Sequence, residues 1–205
     1  MAHSQSIAAI VLAAGSSRRM GAGNKLLLEW DGEIAVRRAV RAAQDAGIDD
    51  VIVVVAGGDN QVASALHGLH GPHIGIVENF DHTEGIASSI RAGVAAVARS
   101  HTGALVMLAD MPLVAPRHLL PLLEAFAAVQ HDAIVVPHFH GRRGNPVLWG
   151  RNHFSDLMML TGDVGARGLL ERHADRVIGV DMPDDAVLVD FDTPQDWARL
   201  RTQAS

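Results

Sequence analysis

Two kinds of pattern alternate along this 205-residue chain. Runs such as Ile7 to Leu12 and Val51 to Ala56 (VIVVVA) are apolar at consecutive positions, which is how a strand covered on both faces reads. Between such runs the apolar residues recur at three- and four-residue intervals. Across Glu33 to Ala46, Val36, Val40 and Ala43 share one helical face, while Arg37, Arg38 and Arg41 turn to solvent. Gly47 caps that helix. Further strands are predicted at Ile74 to Glu78, Leu105 to Leu108, Ile134 to Val136, Pro146 to Trp149, Val177 to Val180 and Val187 to Phe191. Further helices are predicted over Glu84 to Ala98, from Pro116 to about Val129, over Val164 to His173, and from about Pro194. His138 to Gly144 reads as a hairpin turn between strands. The alternation predicts an α/β fold with a mostly parallel central sheet flanked by helices in three layers. No linker, repeat or low-complexity tract interrupts it, and the length suits a single domain over residues 1–205.

Composition narrows the function classes. The chain has no cysteine, which excludes a disulfide scaffold, a thiolate metal site and a thiol nucleophile together. A net charge of -6 argues against nucleic acid and anionic membranes as partners, because both require a broad basic field. No apolar run approaches the roughly 20 residues of a membrane span, and the start MAHSQS lacks the basic region of a secretory signal, so a soluble, cytoplasmic protein is expected. Of the 17 basic residues only Lys25 is a lysine, and it stands in a glycine-rich stretch.

In open α/β sheets ligands gather at the carboxyl ends of strands, which directs attention to the segments after Leu12, Leu108 and Phe191. The first, Leu12 to Lys25, reads LAAGSSRRMGAGNK. Gly15, Gly21 and Gly23 let the backbone approach a ligand, and Arg18, Arg19 and Lys25 add the positive charge that suits a polyphosphate. Its spacing is neither that of a Walker loop nor that of a dinucleotide fingerprint. The second, LADMP, sets Asp110 at the rim of the sheet, where it either ligates a hard divalent cation or caps a turn. The third, DFDTPQDW, holds Asp190 and Asp192, which strand alternation would put on one face, and an N-cap cluster for the last helix reads equally well. In EGIASSIRAG, Gly85 permits close approach and Ser88 and Ser89 offer hydroxyls to a base or ribose, or else the small residues let the helix pack close to the sheet. The 12 histidines invite a metal reading, and His138 and His140 form a HxH pair, but no third ligand has helix or hairpin spacing to it, so the histidines read as solvent-exposed and zinc is rejected.

These segments carry a resemblance. LAAGxSxRMGxxNK after a first strand, EGIASSIRAG, LADMP, GRRGNPVL (141–148), GDVGAR (162–167) and DFDTP occur in the order found in the nucleotidyltransferases that build molybdenum dinucleotide cofactors, within the nucleotide-diphosphosugar transferase fold. LAAG, GRRGNPVL and GDVGAR are similar to the cytidylyl-transferring branch, the molybdenum cofactor cytidylyltransferases; the guanylyl branch usually has LAGG. The resemblance implies a Mg2+-dependent enzyme that joins CTP to molybdopterin and releases pyrophosphate. It implies that Leu12, Ala13, Ala14, Gly15 and Lys25, with Gly85, Ser88 and Ser89, bind the nucleotide. Arg19, Lys25 and Asp110 would act in catalysis, and Asp110 and Asp192 would hold the metal. Arg143, Gly144, Asn145, Asp163 and Arg167 would meet the pterin and its phosphate, against a plain reading of the arginines as solvated surface groups. A molybdenum hydroxylase would receive the product. The alternatives are a guanylyltransferase or other small-molecule nucleotidyltransferase, or a non-catalytic cofactor delivery protein, which would need neither both carboxylates nor Lys25.

Overall fold

A computed structural model describes residues 6–15, 23–69, 73–129, 132–163 and 165–203. Seven strands lie side by side in the order β10-β7-β9-β6-β1-β4-β5, namely β1 (Ile7–Ala13), β4 (Asp50–Ala56), β5 (His73–Asn79), β6 (Gly103–Leu108), β7 (Ile134–Phe139), β9 (Val147–Gly150) and β10 (Val177–Asp181). All neighbours pair parallel except β9, which runs against both β6 and β7. The short β8 (Arg142–Arg143) folds back on β7 through His140 and Gly141, both at positive φ, as a two-residue hairpin turn requires. The hairpin read at His138 to Gly144 is therefore present. Outside the main sheet, β2 (Glu29–Trp30) and β3 (Glu33–Ile34) form a two-stranded ribbon.

Period-two alternation explains the layers. From β1, Ala9, Val11 and Ala13 enter one core with Val36, Val40 and Ala43 of α1 (Ala35–Asp45), Val62 of α2 (Asn60–Ala65) and Leu119, Leu122 and Phe126 of α4 (Pro116–Ala127). The intervening Ala8, Ile10 and Leu12 enter the opposite core. There they meet Ile90 and Val94 of α3 (Ile86–Ala96), Leu157 of α5 (Phe154–Met158) and Leu169 and Leu170 of α6 (Arg167–Arg172). A final helix, α7 (Pro194–Gln203), follows the DFDT segment. The result is the expected three-layer α/β fold, and no helix among the described residues is long and apolar enough to cross a membrane.

Several element readings need correction. Val187 to Phe191 is not a strand. The Asp184 side chain accepts from Ala186 N and starts a 3-10 turn over Asp185–Leu188, after which the chain crosses the sheet rim. Its backbone bonds there are single ones, Asn145 N to Val187 O at 2.9 Å and Phe191 N to Asp110 O at 3.3 Å, so no ladder forms. The helix read over Glu33 to Ala46 begins only at Ala35, because Glu33 and Ile34 pair with the ribbon. The helix read from Glu84 begins at Ile86, since Gly85 at φ +105° breaks the helical path. Of the helix read over Val164 to His173, Val164 lies outside the described residues and the helix found is Arg167–Arg172. Arg37 and Arg38 do not simply face water: Arg37 Nη1 donates to Ala65 O and His67 O at 3.1 Å, and Arg38 Nε to Pro112 O at 2.7 Å.

One cap is built from a buried histidine. Ala115 N donates to His118 Nδ1 at 3.0 Å, which leaves Nε2 to carry the ring proton toward Asp184 Oδ1, also at 3.0 Å. His118 thus holds the start of α4 and ties it to the turn ahead of the DFDT crossing. Burial lowers its pKa below the ordinary histidine value, despite Asp184.

Candidate active site

Three chain segments bring acid and base together at the carboxyl rim of the sheet. Ala109 N bonds Leu12 O, so the ends of β6 and β1 stay in register and Asp110 emerges beside the first loop. Asn24 caps the 3-10 turn Lys25–Leu27 by accepting from Leu26 N at 3.0 Å, which aims Lys25 inward. The DFDT crossing passes over both. Lys25 Nζ donates to Asp110 Oδ2 at 2.5 Å, to Asp192 Oδ1 at 2.6 Å and to Phe191 O at 3.1 Å, and stands 5.7 Å from the centre of the Phe191 ring.

Burial works against the Lys25 ammonium, but Asp110 and then Asp192 outweigh it and hold its pKa above the ordinary lysine value. Burial, reinforced by Asp110 and Asp192, pushes the neighbouring Asp190 carboxyl above its usual range. Among the described residues the cluster sets three carboxylates around one ammonium. Asp110 Oδ1 is buried without a hydrogen-bond partner. An orphaned carboxylate oxygen in an oxygen-rich cluster suits a hard divalent cation, and the donor set of Asp110 and Asp192, with Asp190 adjacent, fits Mg2+ or Mn2+.

These carboxylates line a cleft of about 510 Å³ with Ala14, Gly15, Gly85 and Ser89. A second cavity of about 630 Å³ adjoins it, and Leu12, Ile86, Leu108 and Asp163 border both. The second has an apolar floor of Ile90, Val106, Val147, Trp149 and Leu170, and Arg142, Arg143 and Arg167 on its rim with Gly144 and Asn145. The seam between the two depends on Gly85. A Cβ there would lie 2.6 Å from Gly162 O and 2.9 Å from Asp163 Cα, while Ala87 N bonds Gly162 O and Ile86 N bonds Asp163 Oδ1. Asp163, expected on the acceptor, thus also anchors the start of α3. Arg91 braces the same loop through Leu160 O.

Not every expected residue faces the cleft. Ala13 is buried in the core, Lys25 is buried behind Asp110 and Asp192 and does not line the cleft, and Ser88 is turned away from both cavities, donating to Gly85 O and accepting with Ser89 from Asn79 Nδ2. Arg19 lies outside the described residues. The sequence reading missed His82, Thr83 and Glu84, which line the first cleft, and Glu171 in the second. Their only signal was position, just ahead of Gly85 and within α6. Across 85 and 167 residues Asp110 and Asp192 converge beside Lys25, the adjacency that the metal reading requires, and the lysine pairs with both directly. Asp190 and Asp192 do reach the rim, though on a crossing segment and not by strand alternation.

The comparisons with known proteins agree with this geometry. Over 200 residues the chain is 30% identical to nicotine blue oxidoreductase of Paenarthrobacter nicotinovorans, covering 95% of this chain and 96% of that protein. It is 24% identical to the molybdenum cofactor cytidylyltransferase of Escherichia coli K12, covering 92% of each. A Mycobacterium tuberculosis H37Rv protein crystallised in complex with manganese superposes with a TM-score of 0.75 at 30% identity, covering 97% of this chain and 99% of that one. Residues 9–177 match the model of the MobA-like NTP transferase domain, and the chain belongs to that nucleotidyltransferase family.

Proposed function

We propose that this protein transfers a cytidylyl group from CTP to molybdopterin, giving molybdopterin cytosine dinucleotide and pyrophosphate. The observation that carries the reading is the pair of adjoining cavities, one acidic, with two of its carboxylates bound to the buried Lys25, the other apolar below and arginine-rich at its rim. The first suits a nucleoside triphosphate and the second a flat heterocycle ending in a phosphate, with the reacting atoms meeting at the seam near Asp163.

Ala14 and Gly15, with Gly85 and Ser89, form the nucleotide walls. Lys25, and Arg19 from the loop, steady the triphosphate. Asp110 and Asp192 would hold Mg2+, which when bound would supply neutralisation of the charge that develops on the leaving pyrophosphate. Arg143 and Arg167 grip the acceptor phosphate bidentately, and Asn145 bonds the pterin ring. The acceptor phosphate attacks the α-phosphorus. Already ionised at neutral pH, it needs no protein base, so alignment and charge compensation are the enzyme's contribution. A cytoplasmic location and a molybdenum hydroxylase as recipient follow from this reading.

Incubating the protein with molybdopterin and each of CTP, GTP, ATP and UTP, with pyrophosphate release as readout, tests it. Fastest release with CTP is expected. Preference for GTP would reassign the base, and release with none would leave cofactor delivery. A second reading, redox chemistry on a heteroaromatic substrate, is favoured by the likeness to nicotine blue oxidoreductase. Its test is reduction of added nicotine blue with an equivalent of reduced nicotinamide dinucleotide as the electron donor in the same preparation, and the acidic cluster around Lys25 weighs against it.

A further inference from the structure

At the opposite end of α6 from Arg167, three side chains that take no part in the cleft converge. His153 ends the 3-10 turn that leads into α5, Asp156 follows three residues on, and His173 caps the C-terminus of α6. One ligand atom of each lies within 4.8 Å of those of the other two. The cause is local: residues three apart on a helical turn share a face, and Leu157 and Leu169 hold α5 and α6 in one core. His173 Nε2 is 2.9 Å from Asp156 Oδ2, and the two imidazole rings are 4.8 Å apart between centres.

The state of His153 points to a ligand. Its side chain is 4% exposed, and Nε2 lies 2.9 Å from the backbone carbonyl of Asp132. A carbonyl only accepts, so Nε2 carries the proton and Nδ1 keeps its lone pair. Metal-binding histidines are oriented in this way, with the distal N–H given to a carbonyl or carboxylate. Asp132 is itself fixed, its Oδ2 2.6 Å from Arg176 Nη1.

We propose that His153, Asp156 and His173 form a binding site for a borderline divalent transition metal, Zn2+ above all, separate from the aspartates of the cleft. Two imidazoles and a carboxylate, with water completing the shell, match Zn2+ and reject Mg2+. Ligands on a tetrahedral Zn2+ stand about 3.4 Å apart for bonds of about 2.0–2.1 Å. The remaining contraction falls to Asp156 and His173, which are both partly exposed. The ion would staple the end of α6 to the start of α5 and so restrain the helix that places Arg167 and Leu170 in the second cavity.

The test uses the metal-stripped full chain in excess Mg2+, which occupies the cleft carboxylates. Zn2+ is titrated against a chromophoric chelator, and Co2+ is added separately for its visible spectrum. One tight Zn2+ per chain, a raised melting temperature and tetrahedral Co2+ bands are expected. His173→Gln and Asp156→Asn should each weaken Zn2+ binding at least about 10-fold while the metal-free melting curve stays close to that of the parent. Zn2+ binding unchanged in both variants, or abolished instead by Asp110→Asn, overturns the proposal.

Discussion

Lys25 is held by two carboxylates and a backbone carbonyl, and its side chain is 8% exposed, so its charge is fixed in place before any substrate arrives. Replacing it by methionine removes the ammonium that Asp110 and Asp192 share and leaves two carboxylates beside Asp190 without that partner. Lys25→Met should therefore lower stability by about 1–3 kcal/mol, read by thermal melting, and reduce kcat as well. Asp110→Ala should behave differently, because Lys25 keeps Asp192 and Phe191 O. Turnover is expected to fall by at least about 10²–10³-fold with the fold retained, and near-normal activity would remove Asp110 from the chemistry. Asp110 was legible in the sequence as a carboxylate following a buried strand. Its bond to Lys25 was not, since nothing in either local pattern records a contact closed by the topology.

Among the elements, the strands were legible wherever both faces are buried, as in β1 and β4, and helix α1 wherever its apolar stripe recurs. What escaped were elements too short to show a period, such as α2 and α5, and the DFDT crossing, whose apolar residues pack beside Trp197 without joining a ladder. The turn into α3 rests on a glycine that no other residue replaces cheaply. Gly85→Ala should cost about 1–3 kcal/mol and raise KM for both substrates, because the 162–163 loop must retreat from the helix start. Helix α4 carries a pH dependence. His118 must stay neutral to accept from Ala115 N, and its folded pKa lies below that of the unfolded chain, so its contribution is present above about pH 6.5 and lost as pH falls through the folded value. Asp184 has the same sign at lower pH: burial would raise its carboxyl, but Ala186 N, His118 and Arg117 hold it below the usual range. The melting temperature should drop between pH 7.5 and 5.5, and His118→Gln should flatten that drop by about 2–4 °C for each kcal/mol involved.

At the scale of the molecule, the carboxylates gathered at the rim predict that activity requires a divalent ion. Chelation should stop pyrophosphate release, added Mg2+ or Mn2+ should restore it, and full activity in chelator would exclude the aspartate site from the reaction. The reversed strand β9 has a consequence of its own. In a wholly parallel sheet only segments leaving a strand reach this rim. One backward strand also delivers a segment entering it, so Arg143 to Asn145 arrive on a stretch of polypeptide that supplies nothing to the triphosphate half. That stretch lines the second cavity alone, yet Asn145 N bonds Val187 O on the segment leading to Asp190 and Asp192, so a hairpin grafted between Pro137 and Val147 should change the recipient molecule and spare the nucleotide half only where it keeps that backbone bond.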